Sequence, residues 1–196
     1  MKGYKAKNMR FVLFKYIGAI RSVLYKRKFK YIGGGGYIAK PLLVAGAENI
    51  TIGDKVRIMS GVRIEAINGQ IDIGNDVSIA QNLHIVSGGG NLKIGERTTI
   101  SSNVFITNID HNYEKLDVHI MQQKLTYRET QVGKNCFIGH GAVIMAGAQL
   151  GKQCIVGANS VVRRGVYPDY CVLAGIPAKI VKYYNAQKEE WSQYKE

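Results

Sequence analysis

At 196 residues the chain suits one domain with a sizeable core, and two independent domains would be cramped. Residues 1–31 carry ten Lys or Arg and no Asp or Glu, which leaves only +3 of the net charge of +13 for everything else; with no stacking aromatics or recognised binding module beside that charge, nucleic acid is not the expected partner. Cys136, Cys154 and Cys171 are odd in number and lack a C-x-x-C pair, which argues against a disulfide framework and a zinc site and fits a reducing cytoplasm.

The first expected element is an amphipathic helix. Met9, Val12, Leu13, Tyr16, Ile17, Ile20, Val23 and Leu24 recur at three- and four-residue steps ahead of a GGGG run at 33–36, with Lys and Arg at the ends and on the other face. Residues 1–36 are therefore assigned to a basic helix and a glycine-rich hinge. Two readings stay open for the helix: it lies on an anionic cytoplasmic membrane surface, or its apolar stripe packs on protein. The stretch FVLFKYIGAI is broken by Lys15 and has no small-residue cleavage site, so neither a signal peptide nor a transmembrane helix is expected.

From residue 37 the chain acquires a beat. Ile52-Gly-Asp-Lys-Val56, Ile73-Gly-Asn-Asp-Val77 and Ile94-Gly-Glu-Arg-Thr98 start 21 residues apart, and after each the aliphatics continue at every sixth position. Beyond a break, Val132-Gly-Lys-Asn-Cys136 and Leu150-Gly-Lys-Gln-Cys154 repeat at 18. A helix would recur near 3.6 and a two-faced strand at 2. A period of six instead predicts a triangular solenoid, three hexads to a coil, with the aliphatics stacked inward. Cys136 and Cys154 then share one inward position of successive coils.

This pattern resembles the hexapeptide-repeat acyltransferases over roughly residues 40–182. The resemblance implies an all-β, left-handed parallel β-helix over 37–182 and a homotrimer, with 183–196 closing the chain as a short helical strap. Handedness comes from the resemblance alone, because ordinary parallel crossovers are right-handed.

The beat stops at Asp110-His111-Asn112-Tyr113, and residues 112–131 are too polar and aperiodic for another coil. They are expected to leave as an extended loop, a common place for function. The segment resembles the catalytic-histidine region of maltose, galactoside and bacterial polysaccharide O-acetyltransferases, which implies His111 as general base. A sugar hydroxyl must lose its proton as it attacks a thioester, and imidazole suits that task at neutral pH. A backbone carbonyl or Glu129 is expected to orient the ring, with Asp110 a weaker candidate. Asp110, Tyr113 and Asn82 are the acceptor-side candidates; for Asn82, turn chemistry is an equal reading. His84, His119 and His140 are read as satisfied, loop-exposed and groove-lining side chains respectively. No convergence of ligands points to a metal.

The segment from IGHGAVIMAGAQLG to AGIPAKIVKYY resembles the acetyl-CoA end of the same enzymes. Position by position the resemblance implies Gly141, Ala142, Gly147, Ala158, Ser160, Arg163, Arg164, Ala174, Lys179 and Lys182 as contacts to acetyl-CoA as co-substrate. The resulting expectation is a cytoplasmic O-acetyltransferase, possible at the inner membrane face, acting on a sugar or lipid-linked saccharide in surface-polysaccharide synthesis. Its rivals are an N-acetyltransferase of a nucleotide-linked amino sugar and a noncatalytic β-helix scaffold.

Overall fold

The computed structural model describes residues 9–194; Lys2, Lys5 and Lys7 of the basic beginning lie outside the described residues. Short strands stack in rows, seven on faces 1 and 2 and six on face 3, to build three parallel sheets that the chain visits in that order in each coil. Face 1 runs from Tyr31–Ile32 to Gly165–Tyr167, face 2 from Tyr37–Ile38 to Cys171–Gly175, and face 3 from Leu43–Ala45 to Val161–Val162. The six-residue beat is this path, since each hexad gives one strand and one corner.

In-register pairing puts Ile52 beside Ile73, Ile73 beside Ile94 and Ile94 beside Val132. Equivalent stacks on the other faces include Ile58, Ile79 and Ile100, and Ile64, Ile85 and Ile106, all fully buried. Each such side chain contributes about 1.5–3 kcal/mol of burial before conformational entropy is counted against it. The cysteines continue a further inward column begun by Val56, Val77 and Thr98, and Cys154 Sγ lies 3.5 Å from Cys171 Sγ in the core.

The change from a period of 21 to one of 18 has a location. The early face 3 strands Arg63–Ile67 and His84–Gly88 are five residues long, whereas Val143–Ile144 and Val161–Val162 have two each. The surplus sits at the corner between faces 3 and 1, the corner from which the long loop departs.

Three expectations need correction. The glycines at 33–36 are not a hinge but the first corner of the solenoid, joining Tyr31–Ile32 to Tyr37–Ile38. A Cβ on Gly36 would stand 2.1 Å from the Val56 carbonyl oxygen in the next coil, so glycine is there to let two backbones touch. The closing segment is not helical: Ala178–Asn185 pairs antiparallel with Cys171–Gly175 and with Glu190–Gln193. An added hairpin covers the last face 2 edge by the same main-chain bonding that builds the solenoid.

The third correction concerns the helix α1 (Met9–Tyr25), whose apolar stripe does not pack on the first coil. The helix lies across the open edge of Tyr37–Ile38 on its opposite side, where Gly18 and Ser22 are its buried residues. Ser22 Oγ accepts from the Ile38 N–H at 2.9 Å and Arg21 Nη1 donates to the Ile38 carbonyl at 3.1 Å. An edge strand presents polar main-chain groups, so a serine and an arginine that satisfy them dock better than an aliphatic face. The helix occupies the place of a missing coil.

Candidate functional site

The loop opens as a two-stranded ribbon, Ile109–His111 antiparallel to Leu125–Tyr127, with His111 opposite Leu125. Farther out, the Gln123 side chain accepts from the Lys115 N–H and donates to the carbonyls of Lys115 and Val118. The loop's end is therefore ordered by its own polar groups rather than by a core.

Its base is fixed by buried hydrogen bonds. Asn108 Oδ1 accepts from the Gly88 N–H at 2.8 Å and its Nδ2 donates to Ser87 Oγ at 3.1 Å. Thr130 Oγ1 donates to the Thr107 carbonyl at 2.9 Å and accepts from the Gly147 N–H at 3.0 Å. Above them Tyr127 and Ile109 lie on Gly88 and Gly89, where a Cβ would come within 2.6–2.9 Å of their side chains. The GGG at 88–90 is thus the seat of the loop.

This base holds His111 at the rim of a cavity of about 340 Å³ whose other walls include Asp110, Tyr113, Arg128, Arg163 and Arg164, over a floor of Met145 and Ala146. The imidazole is exposed. Among the described residues no hydrogen bond or ion pair holds it. Asp110 does not orient it, because its carboxylate pairs with Arg128 Nη1. Glu129 lines a different cavity, with Asn68, Gln70 and Asn91: Thr130 faces inward and Glu129, its neighbour at the start of a face 1 strand, faces out.

The remaining expected site residues are spread over two corners, the core and the closing hairpin. Gly147, Arg163 and Arg164 follow face 3 strands and belong to the His111 corner; a Cβ on Gly147 would meet the side chains of Arg164 and Arg128 at 3.0–3.1 Å. Asn82, Gly141, Ala158 and Ser160 lie at the corner between faces 2 and 3. Asn82 has φ +59 and donates to Asn103 Oδ1 at 3.1 Å, an Asn ladder in the left-handed region that makes turn chemistry its role in this chain. Ala174 and Lys179 are opposite one another in the closing hairpin, with Lys182 opposite Val172. Ala142 is fully buried in the core, and buried Ser160 Oγ accepts from the Gly175 N–H at 3.1 Å. Neither of those two side chains lines a surface groove.

The other histidines are engaged. His84 Nε2 lies 3.0 Å from Glu65 Oε1, His119 Nδ1 accepts from the Met121 N–H at 3.2 Å, and His140 Nδ1 is 2.9 Å from Ser102 Oγ. Arg128 is the cavity-lining side chain that sequence reasoning missed. Its signal was faint, one arginine in a polar loop, and only the ribbon pairing brings it to Asp110 and His111. A more open groove of about 520 Å³ runs over face 1 past Asp72, Lys93, Glu96 and Lys134. It contains none of the expected residues and no histidine, so the His111 cavity carries the chemical argument: an imidazole able to take a proton stands beside Arg163 and Arg164, which can hold an anion, while Arg128 is paired with Asp110.

Comparison with known proteins agrees with this architecture. Residues 129–164 match the family model described as bacterial transferase hexapeptide (six repeats), and no curated protein matches the chain. Among solved structures, AntD, an N-acyltransferase from Bacillus cereus in complex with dTDP and 3-hydroxybutyryl-CoA, is 20% identical with a TM-score of 0.73, over 86% of this chain and 90% of that one. A galactoside acetyltransferase in complex with coenzyme A is 23% identical with a TM-score of 0.58, over 86% and 72%. A hexapeptide-repeat acetyltransferase from Vibrio cholerae is 21% identical with a TM-score of 0.57, over 85% and 80%. The chain accordingly has the left-handed parallel β-helix fold of these structures, with the hexapeptide repeat matched over residues 129–164.

Proposed function

We propose that this protein is an acetyl-CoA-dependent O-acetyltransferase that modifies a sugar hydroxyl in bacterial surface-polysaccharide synthesis, with His111 as general base. The observation that carries the reading is the placement of His111, an imidazole without a partner among the described residues, on a two-stranded ribbon beside a cavity that Arg163 and Arg164 also line. In the proposed step an imidazole nitrogen takes the acceptor hydroxyl proton as the oxygen attacks the thioester carbonyl. The carbon–sulfur bond then breaks, and the imidazolium returns the proton to the departing thiolate. Ester and free coenzyme A are the products.

The division of the expected residues between two corners of the prism supports an assembly of three chains. One chain keeps Asn82, Gly141 and Ala158 at a different corner from His111, whereas two prisms side by side can bring unlike corners together. The neighbouring copy would then also supply the group that orients the imidazole. In this arrangement the pantetheine arm lies between copies, along small corner residues, with Lys179 and Lys182 near its nucleotide end.

A second reading, N-acylation of a nucleotide-linked amino sugar, is favoured by one observation. Arg128, Arg163 and Arg164 line the same cavity as His111, and a pantetheine arm holds its nucleotide phosphates well away from the reacting thioester. Arginines this near the base therefore suit an anionic group on the acceptor, such as a sugar diphosphate.

Free-thiol release from acetyl-CoA, measured with a panel of sugars, lipid-linked saccharides and nucleotide amino sugars, tests both. Acceptor-dependent release should fall by about a hundred- to ten-thousandfold in His111→Ala while coenzyme A binding persists. The acceptor that turns over separates ester from amide formation. Unchanged release in a folded variant removes His111 as the base, and failure to bind acetyl-CoA at all favours a noncatalytic scaffold.

A further inference from the structure

The outward face of α1 has no covering among the described residues. Met9, Leu13, Tyr16, Ile20, Val23 and Leu24 are each between 57% and 83% exposed. On a helical wheel they fill an arc of about 100° on the side opposite Gly18 and Ser22, the width of an ordinary amphipathic stripe. Because α1 sits where a preceding coil would be, this arc points along the solenoid axis, away from all seven rows.

The charges around it are of one sign. Lys26, Arg27, Lys28 and Lys30 follow the end of the helix, and residues 1–31 contain no acidic side chain. A basic fringe around an apolar face complements an anionic phospholipid surface, into which such a helix sinks its apolar side while the cations meet headgroups. No helix among the described residues is long and apolar enough to cross a membrane, so the contact is peripheral.

We infer that α1 is an end-on membrane foot: its apolar face inserts into an anionic phospholipid bilayer and the β-helix stands upright on it. Upright standing fixes the height of the candidate site. His111 leaves the fourth row, three spacings of ~4.8 Å above the first, plus about 5 Å for half the helix. The cavity thus sits roughly 20 Å above the lipid. An acceptor that reaches it from the membrane carries its sugar at the end of a headgroup-length tether.

The test uses the full chain and vesicles of phosphatidylglycerol with phosphatidylcholine. Co-sedimentation should be strong, weaken with added salt and with pure phosphatidylcholine, and drop at least tenfold in the double variant Leu13→Asp, Ile20→Asp. That variant should keep its thermal unfolding transition, because both residues are exposed and the docking contacts are made by Gly18, Arg21 and Ser22. Orientation has its own reporter. Trp191, in the closing hairpin at the far end of the solenoid, should keep its emission on vesicles, whereas Tyr16→Trp in a Trp191→Phe background should shift to the blue. Absence of binding to anionic vesicles, or equal binding by the double variant, overturns the inference. So does a double variant that falls to a smaller oligomer in lipid-free buffer, which would make the arc a contact between copies, or a Trp191 shift, which would lay the solenoid on its side.

Discussion

Glu65 shows how a single side chain on face 3 is placed by neighbours three rows deep. Its carboxylate is 7% exposed, receives Arg63 Nε and Nη2 at 2.6 and 3.0 Å, and lies 3.0 Å from His84 Nε2, whose ring packs 5.0 Å from Phe105. Arg63 first, and His84 after it, hold the carboxyl below the usual range against the opposing effect of burial. A folded pKa below the unfolded value of about 4.3 contributes stability that is fully present above that pH and is lost as pH falls through the folded pKa. The stability difference between wild type and Glu65→Gln, taken from denaturant melts, should therefore be flat above about pH 5 and shrink below about pH 4. A difference that does not narrow in acid means the pair is not coupled to folding. At this scale the break in the beat singles out His111 as a candidate, but not Arg128 or Asn108, whose partners lie 18 and 20 residues away along the chain. Glu129 was misplaced for the same reason, because nearness to the loop's end says nothing about which face of the prism a side chain joins.

Among the elements, the glycine run at 33–36 and the helix before it separate composition from context. Four glycines read as a hinge because glycine costs most to order, yet here they form a corner stacked against the next coil. Gly36→Ala forces a methyl group onto the Val56 carbonyl and should lower the unfolding free energy by about 1–3 kcal/mol, the usual range for overpacking. A neutral effect on the denaturant midpoint would restore the hinge. The helix was legible as a helix from its 3.6-residue period, but not which side it presents. Periodicity identifies an apolar face, whereas the edge of a solenoid offers N–H and C=O groups and selects the face that can bond them. The closing hairpin follows the same rule: its segment looked like a strap, and the unpaired edge of Cys171–Gly175 made it a strand.

As a whole molecule the chain is a nearly one-dimensional stack in which each coil touches mainly its neighbours, closed by a helix at one end and a hairpin at the other. The sides remain open, and the candidate site is spread over two corners that one chain keeps apart. Light scattering of the full chain in lipid-free buffer should give three times the mass of one chain, and a monomer that still turns over acetyl-CoA would place the whole site within one prism. The sequence by itself determined the solenoid, the period of its coils, the point where scaffold yields to loop, and the histidine at that point, because all of these are local and repeat in register. The tertiary structure alone decided which residues share the His111 cavity, that Glu129 and Asn82 do not, and that α1 turns its apolar face outward. Those outcomes depend on which corner and which edge a residue reaches after folding, and a hexad repeats without saying what lies beside it in space.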